Sequence, residues 1–173
     1  KKFENIFSIA GCGGLRFSSM VWTHFYWQYG DQIDYANTQL GKRLRLYPSM
    51  ELLLGLHIKL EINHTWEILE VDRGRLYTAN MSRLKFTYQF TKRMFLRAVL
   101  QYVDYDRNVV LYDDEDVDSK TQGLFSQFLF SYKINPQTVF FLGYSDNYYG
   151  DQEVDFIQTN RTLFTKIGYA LTL

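Results

Sequence analysis

From Met50 to Ile62 the residue types alternate. Met50, Leu52, Leu54, Leu56, Ile58, Leu60 and Ile62 share one parity; Glu51, Leu53, Gly55, His57, Lys59, Glu61 and Asn63 share the other. An α-helix would scatter these apolar residues around its circumference, whereas extended backbone puts them all on one side. The same period of two recurs along most of the chain. It predicts eight long strands at 15–29, 36–47, 50–68, 76–90, 93–106, 121–134, 138–149 and 159–172, with a ninth at 1–10. Most run to about 12–15 residues, against roughly 5–6 for the average strand of a globular protein.

Such lengths suit strands that cross a bilayer at a tilt, which takes about 9–11 residues. The fold expected is therefore all-β, a transmembrane antiparallel up-and-down β-barrel, with eight to nine strands forming part of a larger barrel. The apolar runs, such as Leu52-Leu53-Leu54, are far shorter than the roughly 20 residues of a helical span. Mean hydropathy is only −0.27. A barrel accommodates this because alternate residues alone face lipid. No internal linker divides the 173 residues.

Turn chemistry suggests an orientation. Short connections are expected at Tyr47-Pro48-Ser49, Thr91-Lys92-Arg93, Asn135-Pro136-Gln137 and Gly11-Cys12-Gly13-Gly14. Longer polar loops are expected at 30–35, 69–75, 107–120 and 150–158. Outer-membrane barrels have short periplasmic turns and long outer loops, which puts the C-terminus on the periplasmic side. Charge agrees. Sixteen of the 19 acids, Glu67 among them, are assigned to the outer loops and adjoining strand tips, with five bases. Aromatic residues make up 18% of the chain and cluster near strand ends, as in Trp22, Phe25, Tyr26, Trp27 and Tyr29, which suits interfacial girdles. The formal net charge of zero gives no reason to expect nucleic acid. One parity exception stands out: Lys42 shares the face of Leu40, Leu44 and Leu46, and a bulge at Gly41 is one way to accommodate it.

The polar parity collects Arg16, Arg43, Arg45, Lys59, Arg83, Lys85, Arg97, Lys133 and Lys166, opposed by Glu51 and Glu61. This is either an anion-attracting lumen wall or a polar interior balanced by ion pairs with other strands. An eight-stranded barrel is just filled by its own side chains, and unpaired cations buried there cost several kcal/mol each. That favours a wider, water-filled barrel.

The densest acidic run is Asp113, Asp114, Glu115, Asp116 and Asp118. It is either a solvated outer loop or a site for hard divalent cations bridging to lipopolysaccharide phosphates. It lacks the glycine and distal glutamate of an EF-hand loop. The three histidines have no metal-ligand spacing. His57 and Glu61 share a parity but stand about 13 Å apart along a strand. His64, expected near the outer tip with Asp72 and Asp104, is the one opening for a hydrolase. Gly11-Cys12-Gly13-Gly14 lacks the lysine and hydroxyl residue of a phosphate-binding loop, and the lone Cys12 cannot form an internal disulfide. No metal, cofactor or catalytic residue is predicted.

The terminal run Leu163, Thr165, Ile167, Tyr169, Leu171, Leu173 looks like the closing-strand signature read by the barrel-assembly machinery, with leucine where phenylalanine or tryptophan is usual. The absence of an initiator Met and the mid-pattern start suggest a fragment of a longer chain. A narrower resemblance covers roughly residues 40–173. It is carried by Leu124-Phe125-Ser126-Gln127-Phe128-Leu129-Phe130-Ser131-Tyr132-Lys133-Ile134-Asn135-Pro136-Gln137-Thr138-Val139-Phe140-Phe141-Leu142-Gly143-Tyr144-Ser145-Asp146-Asn147-Tyr148, by the segment from Arg83 to Arg97, and by Arg161-Thr162-Leu163-Phe164-Thr165-Lys166. These resemble the C-terminal barrel of a domain-of-unknown-function family whose members carry an N-terminal carbohydrate-binding family-nine-like module. The resemblance implies a bacterial outer-membrane location and a larger parent protein; it supplies no catalytic residue. Four readings follow: a pore or transport barrel, a membrane anchor for an exported glycan-binding module, an outer-membrane hydrolase, and a soluble lipocalin-like barrel with the apolar parity turned inward. The expected partners are outer-membrane lipid, lipopolysaccharide and the barrel-assembly machinery.

Overall fold

A computed structural model describes residues 6–35, 37–114 and 116–170. Nine antiparallel strands follow one another as an up-and-down meander in a single sheet: β1 (Ser8–Arg16), β2 (Val21–Asp34), β3 (Gln39–Leu54), β4 (Ile58–Val71), β5 (Gly74–Thr91), β6 (Met94–Arg107), β7 (Lys120–Lys133), β8 (Thr138–Asp151) and β9 (Ile157–Tyr169). β1 and β9 are its two edges. The other regular element among the described residues is one 3₁₀ turn, Val109–Leu111. No helix among them is long and apolar enough to cross a membrane.

The predicted turn at Tyr47-Pro48-Ser49 is absent, and β3 continues through it to Leu54. Proline has no N–H for the ladder, and the β3–β4 pairing is correspondingly interrupted at Tyr47 and Pro48 before resuming at Ser49↔Asn63. The chain reverses instead at Gly55-Leu56-His57, where Gly55 adopts φ +64°, a left-handed conformation that glycine reaches without steric cost. Gly11–Gly14 is also not a turn. It lies inside β1, paired with Trp27, Tyr26, Phe25 and His24, and the chain turns at 17–20.

The remaining connections follow their local chemistry. At the 134–137 turn, Asn135 Oδ1 accepts the backbone N–H groups of Gln137 (3.0 Å) and Thr138 (2.8 Å), an Asx turn. At the other end of β8, Asp151 Oδ1 does the same for Glu153 and Val154, both at 2.9 Å. The expected loop 69–75 shrinks to Asp72-Arg73, because β4 and β5 stay paired to Val71↔Gly74. The expected loop 30–35 moves to 35–38. Short and long connections therefore do not alternate strictly, and the one extended connection is 108–119.

Register partners carry their side chains on the same side of a sheet, so the pairings define two faces. One row runs Val21, Leu52, Leu60, Phe86, Ala98, Phe128, Tyr144, Leu163; the next row toward the 55–57 turn runs Leu54, Ile58, Tyr88, Leu96, Phe130, Leu142, Thr165. The opposite face is polar. Little of the apolar face is covered. Leu84, Leu100, Phe128, Leu142 and Leu163 are 39%, 46%, 50%, 43% and 72% exposed. Among the described residues five apolar side chains are buried: Leu69, Val71 and Leu76 form a small group at the end of the sheet where Leu111 and Tyr112 pack, Ile68 is next to Leu69 in β4, and Val99 lies in mid-β6.

Lys42 does belong to the apolar face. No register shift occurs at Gly41, so a bulge is not the explanation. Its register partner Asp31 accepts a hydrogen bond from Lys42 Nζ, and the pair lies near the β2–β3 loop, away from the apolar rows.

Candidate functional site: a polar face under a loop strap

All nine basic residues predicted for the polar parity share one face: Arg16, Arg43, Arg45, Lys59, Arg83, Lys85, Arg97, Lys133 and Lys166. They fall into two groups. On β3–β5, Arg45, Lys59 and Lys85 are ion-paired and Arg43 is hydrogen-bonded. Lys59 lies 2.9 Å from Glu51 and 3.9 Å from Glu61, and Lys85 lies 2.8 Å from Glu61. Arg45 lies 3.8 Å from Glu67, and Arg43 donates to Gln28 Oε1 at 2.9 Å. Glu67 is thus a wall residue rather than part of an acidic tip, and Tyr77 donates its phenol to it at 2.7 Å. The signal for Glu67 was present: the parity of Glu61, Asn63 and Thr65 reaches it once β4 is extended to Val71.

Arg83, Lys133 and Lys166 make no ion pair among the described residues. Arg97 stacks its guanidinium 5.3 Å above the Phe95 ring, and its Nε is buried without a hydrogen-bond partner. Arg16 lies 5.1 Å over Trp22 near the 17–20 turn.

The segment from Asn108 to Ser119 folds back across the outer end of this face like a strap. Leu111 and Tyr112 pack on Leu69, Val71 and Leu76. The Asp113 backbone N–H donates to Asn37 Oδ1 at 2.7 Å, tying the strap to the β2–β3 loop. Buried Asp34 receives the side-chain amides of Asn37 and Gln39. At the other end Arg107 donates to the Asp118 carbonyl (3.3 Å) and to Thr121 Oγ1 (2.6 Å), while Tyr149 donates to the Asp118 carboxylate (3.3 Å). A cavity of about 490 Å³ lies there, lined by Arg107, Tyr112, Asp114, Asp118, Thr121 and Tyr149. Burial raises the Tyr112 phenol above its usual titration range, Asp34 adds to the shift and Arg107 opposes it.

The acidic run is thus part of a docked strap rather than a free loop. Asp114 Oδ1 accepts the Asp116 N–H at 3.0 Å, and Asp118 is held by Tyr149. Glu115 lies outside the described residues. Among the described residues no three acidic, histidine or cysteine side chains gather in ligand geometry.

The histidines do not build a catalytic constellation. His57 sits in the 55–57 turn, its Nδ1 2.6 Å from the Gln89 carbonyl, and so shares no strand with Glu61. His64 is in mid-β4 on the apolar face, not at a tip near Asp72 and Asp104, and its Nδ1 meets Ser82 Oγ at 2.9 Å. Cys12 is exposed on β1.

No family model, curated protein or solved structure matches this chain. Its function is therefore argued from the two faces and the strap.

Proposed function

We propose that this chain forms wall of a transmembrane β-barrel in a bacterial outer membrane, of pore or transport type, with the apolar face on lipid and the polar face on the lumen. The observation that carries the reading is a continuous apolar face left largely uncovered opposite a charged one: Leu84, Leu100, Phe128, Leu142 and Leu163 lie on it and are 39%, 46%, 50%, 43% and 72% exposed. Toward the strap this face turns polar, since above Leu84 and Leu100, which pair with each other, stand Ser82, Asn80, Tyr102 and Asp104.

Leu124 on β7 shares a row with Tyr102 and Tyr148, an aromatic level suited to a membrane interface. The exposure of the large apolar side chains supports the same reading, since soluble proteins rarely leave contiguous apolar patches above a few hundred Å² uncovered.

On this reading the strap marks the extracellular end, and the turns at 17–20, 55–57, 92–93 and 134–137 mark the periplasmic one. Both edge strands present long unpaired backbone ladders, which a barrel removes by closure onto further strands or onto each other. Closure with further strands gives the wide lumen that the excess of wall cations calls for. Lipid, lipopolysaccharide and the barrel-assembly machinery are the partners, and glycans enter only through the family resemblance. The test has two parts. The folded protein is expected to need detergent and to migrate faster unheated than boiled in a denaturing gel; monodisperse behaviour in plain buffer overturns the membrane reading. Planar bilayers are expected to show discrete conductance steps, and their absence reduces the barrel to an anchor.

A further inference from the structure

Six cations of the polar face make no ion pair among the described residues; Arg16 lies over Trp22 and Arg43 bonds the neutral Gln28, and the other four lie across the later strands: Arg83 on β5, Arg97 on β6, Lys133 on β7 and Lys166 on β9. Lys59, Lys85 and Arg45 are matched by Glu51, Glu61 and Glu67, whereas none of these four makes an ion pair among the described residues. Register places Arg83, Arg97 and Lys133 as three steps toward the 134–137 turn, and Lys166 two residues back from Lys133. Arg97 pairs with Thr87, four residues from Arg83 along β5, and Lys133 is four residues beyond Leu129, the partner of Arg97. Lys166 pairs with Phe141, which pairs with Ser131, two residues from Lys133. Strand geometry spaces successive backbone positions by roughly 12–14 Å.

We propose that these four residues form an anion path along the lumen wall, selecting small solutes that carry carboxylate or phosphate groups; this rests on the pore reading above. The residues are the right kind. Arginine offers a planar fork of donors that matches oxyanions, and lysine a mobile ammonium. Arg97 supplies a second observation: its Nε–H is buried without an acceptor among the described residues, and unlike Arg45, whose Nε is also unbonded but lies 3.8 Å from Glu67, it has no ion pair. A buried donor is normally satisfied, and an oxyanion in the lumen is a suitable acceptor. The spacing also matters. Successive stations lie further apart than the screening length of about 8 Å at physiological salt, so each attracts an anion largely independently. Conduction needs several weak sites rather than one tight one, and separated stations provide that. The ion-paired cluster of Arg45, Lys59 and Lys85 adds less pull, so the path runs from Arg83 on β5 to β9.

The experiment uses the full-length protein in planar bilayers under a potassium chloride gradient. The reversal potential is expected to report chloride preferred over potassium by about threefold or more, as a focusing basic wall requires. The combined variant Arg83→Gln, Arg97→Gln, Lys133→Gln, Lys166→Gln is expected to lose that preference. The charge-neutral double variant Lys59→Gln, Glu51→Gln is expected to keep it. Lys166→Gln alone, on an exposed edge strand, shifts the potential the same way by less and serves if the combined variant does not fold. A cation-selective or non-selective wild-type channel overturns the proposal.

A second readout does not depend on conduction. In detergent, the Arg97 Nε–H resonance is followed while inorganic tripolyphosphate and then acetate are added. A saturable shift with either supports the path and tells phosphate from carboxylate; no shift with both overturns it. A shift without current sinks the pore and the path with it, leaving only anion binding at Arg97, while current without anion preference sinks the path and leaves the pore.

Discussion

Phe164 of β9 lies with its ring flat over Gly143 of β8, its register partner on the polar face. A Cβ built on Gly143 would come 2.1 Å from Phe164 Cζ. The glycine leaves the space that the ring fills, and the ring covers backbone that the glycine would leave bare, a pairing that helps pin strand register. Trp27 and Gly11 repeat it at the other edge of the sheet, where an added Cβ would meet Trp27 Nε1 at 2.6 Å.

Gly143→Ala is therefore expected to push the Phe164 ring away and to destabilise the sheet by about 1–3 kcal/mol, the usual range for overpacking. The double variant Gly143→Ala, Phe164→Ala should recover part of that loss. Urea unfolding in micelles measures both. Strict additivity of the two single changes would mean that the ring and the glycine do not interact.

Leu100 and Gln101 are neighbours in β6 on opposite faces. Arginine at Leu100 is expected to cost more than arginine at Gln101, because the first lies at the edge of the lipid face and the second meets water. Folding free energies in lipid vesicles make the comparison. Equal costs, or the reverse order, would turn the sheet inside out.

Glu61 is the acid shared by Lys59 and Lys85. Both of its partners are partly exposed, so Glu61→Gln is expected to lower stability by no more than about 1 kcal/mol. It leaves Lys85 without an acid and Lys59 with Glu51 alone, however, so on the pore reading conduction should become more anion-selective. Reversal potentials of the wild type and the variant decide, and an unchanged or lowered anion preference contradicts the assignment of Glu61 to the lumen.

The strap should respond to alkali. Tyr112 titrates above the ordinary tyrosine value of 10.0, chiefly through burial, so the neutral phenol favours the docked strap. That contribution is complete below about pH 10 and is lost as the pH climbs through the raised folded value. A spin label at Val110, which is 82% exposed, should be restrained at neutral pH and mobile in strong alkali. Asn37→Ala should mobilise it at neutral pH, and Tyr112→Phe should abolish the alkaline step. A label equally mobile under all conditions would refute docking.

Which residues share a face was decided by parity, and parity is local: successive side chains of an extended chain point to opposite sides whatever the rest of the molecule does. That is why the nine wall cations were legible from the sequence although two hairpin turns were misplaced. Leu54 and Ile58 are register partners across a turn and have the same parity, so the alternation of Met50 to Ile62 continues unbroken around a complete reversal of the chain. For the same reason it cannot say where the reversal is. Only the pairing of β3 with β4, helped by the left-handed Gly55, fixes the turn at 55–57. The matching of Glu67 with Arg45, the isolation of Arg97 and the docking of Tyr112 across the outer end were likewise settled by tertiary structure. Each depends on which strands lie side by side and in what register, and no period within a single strand carries that information.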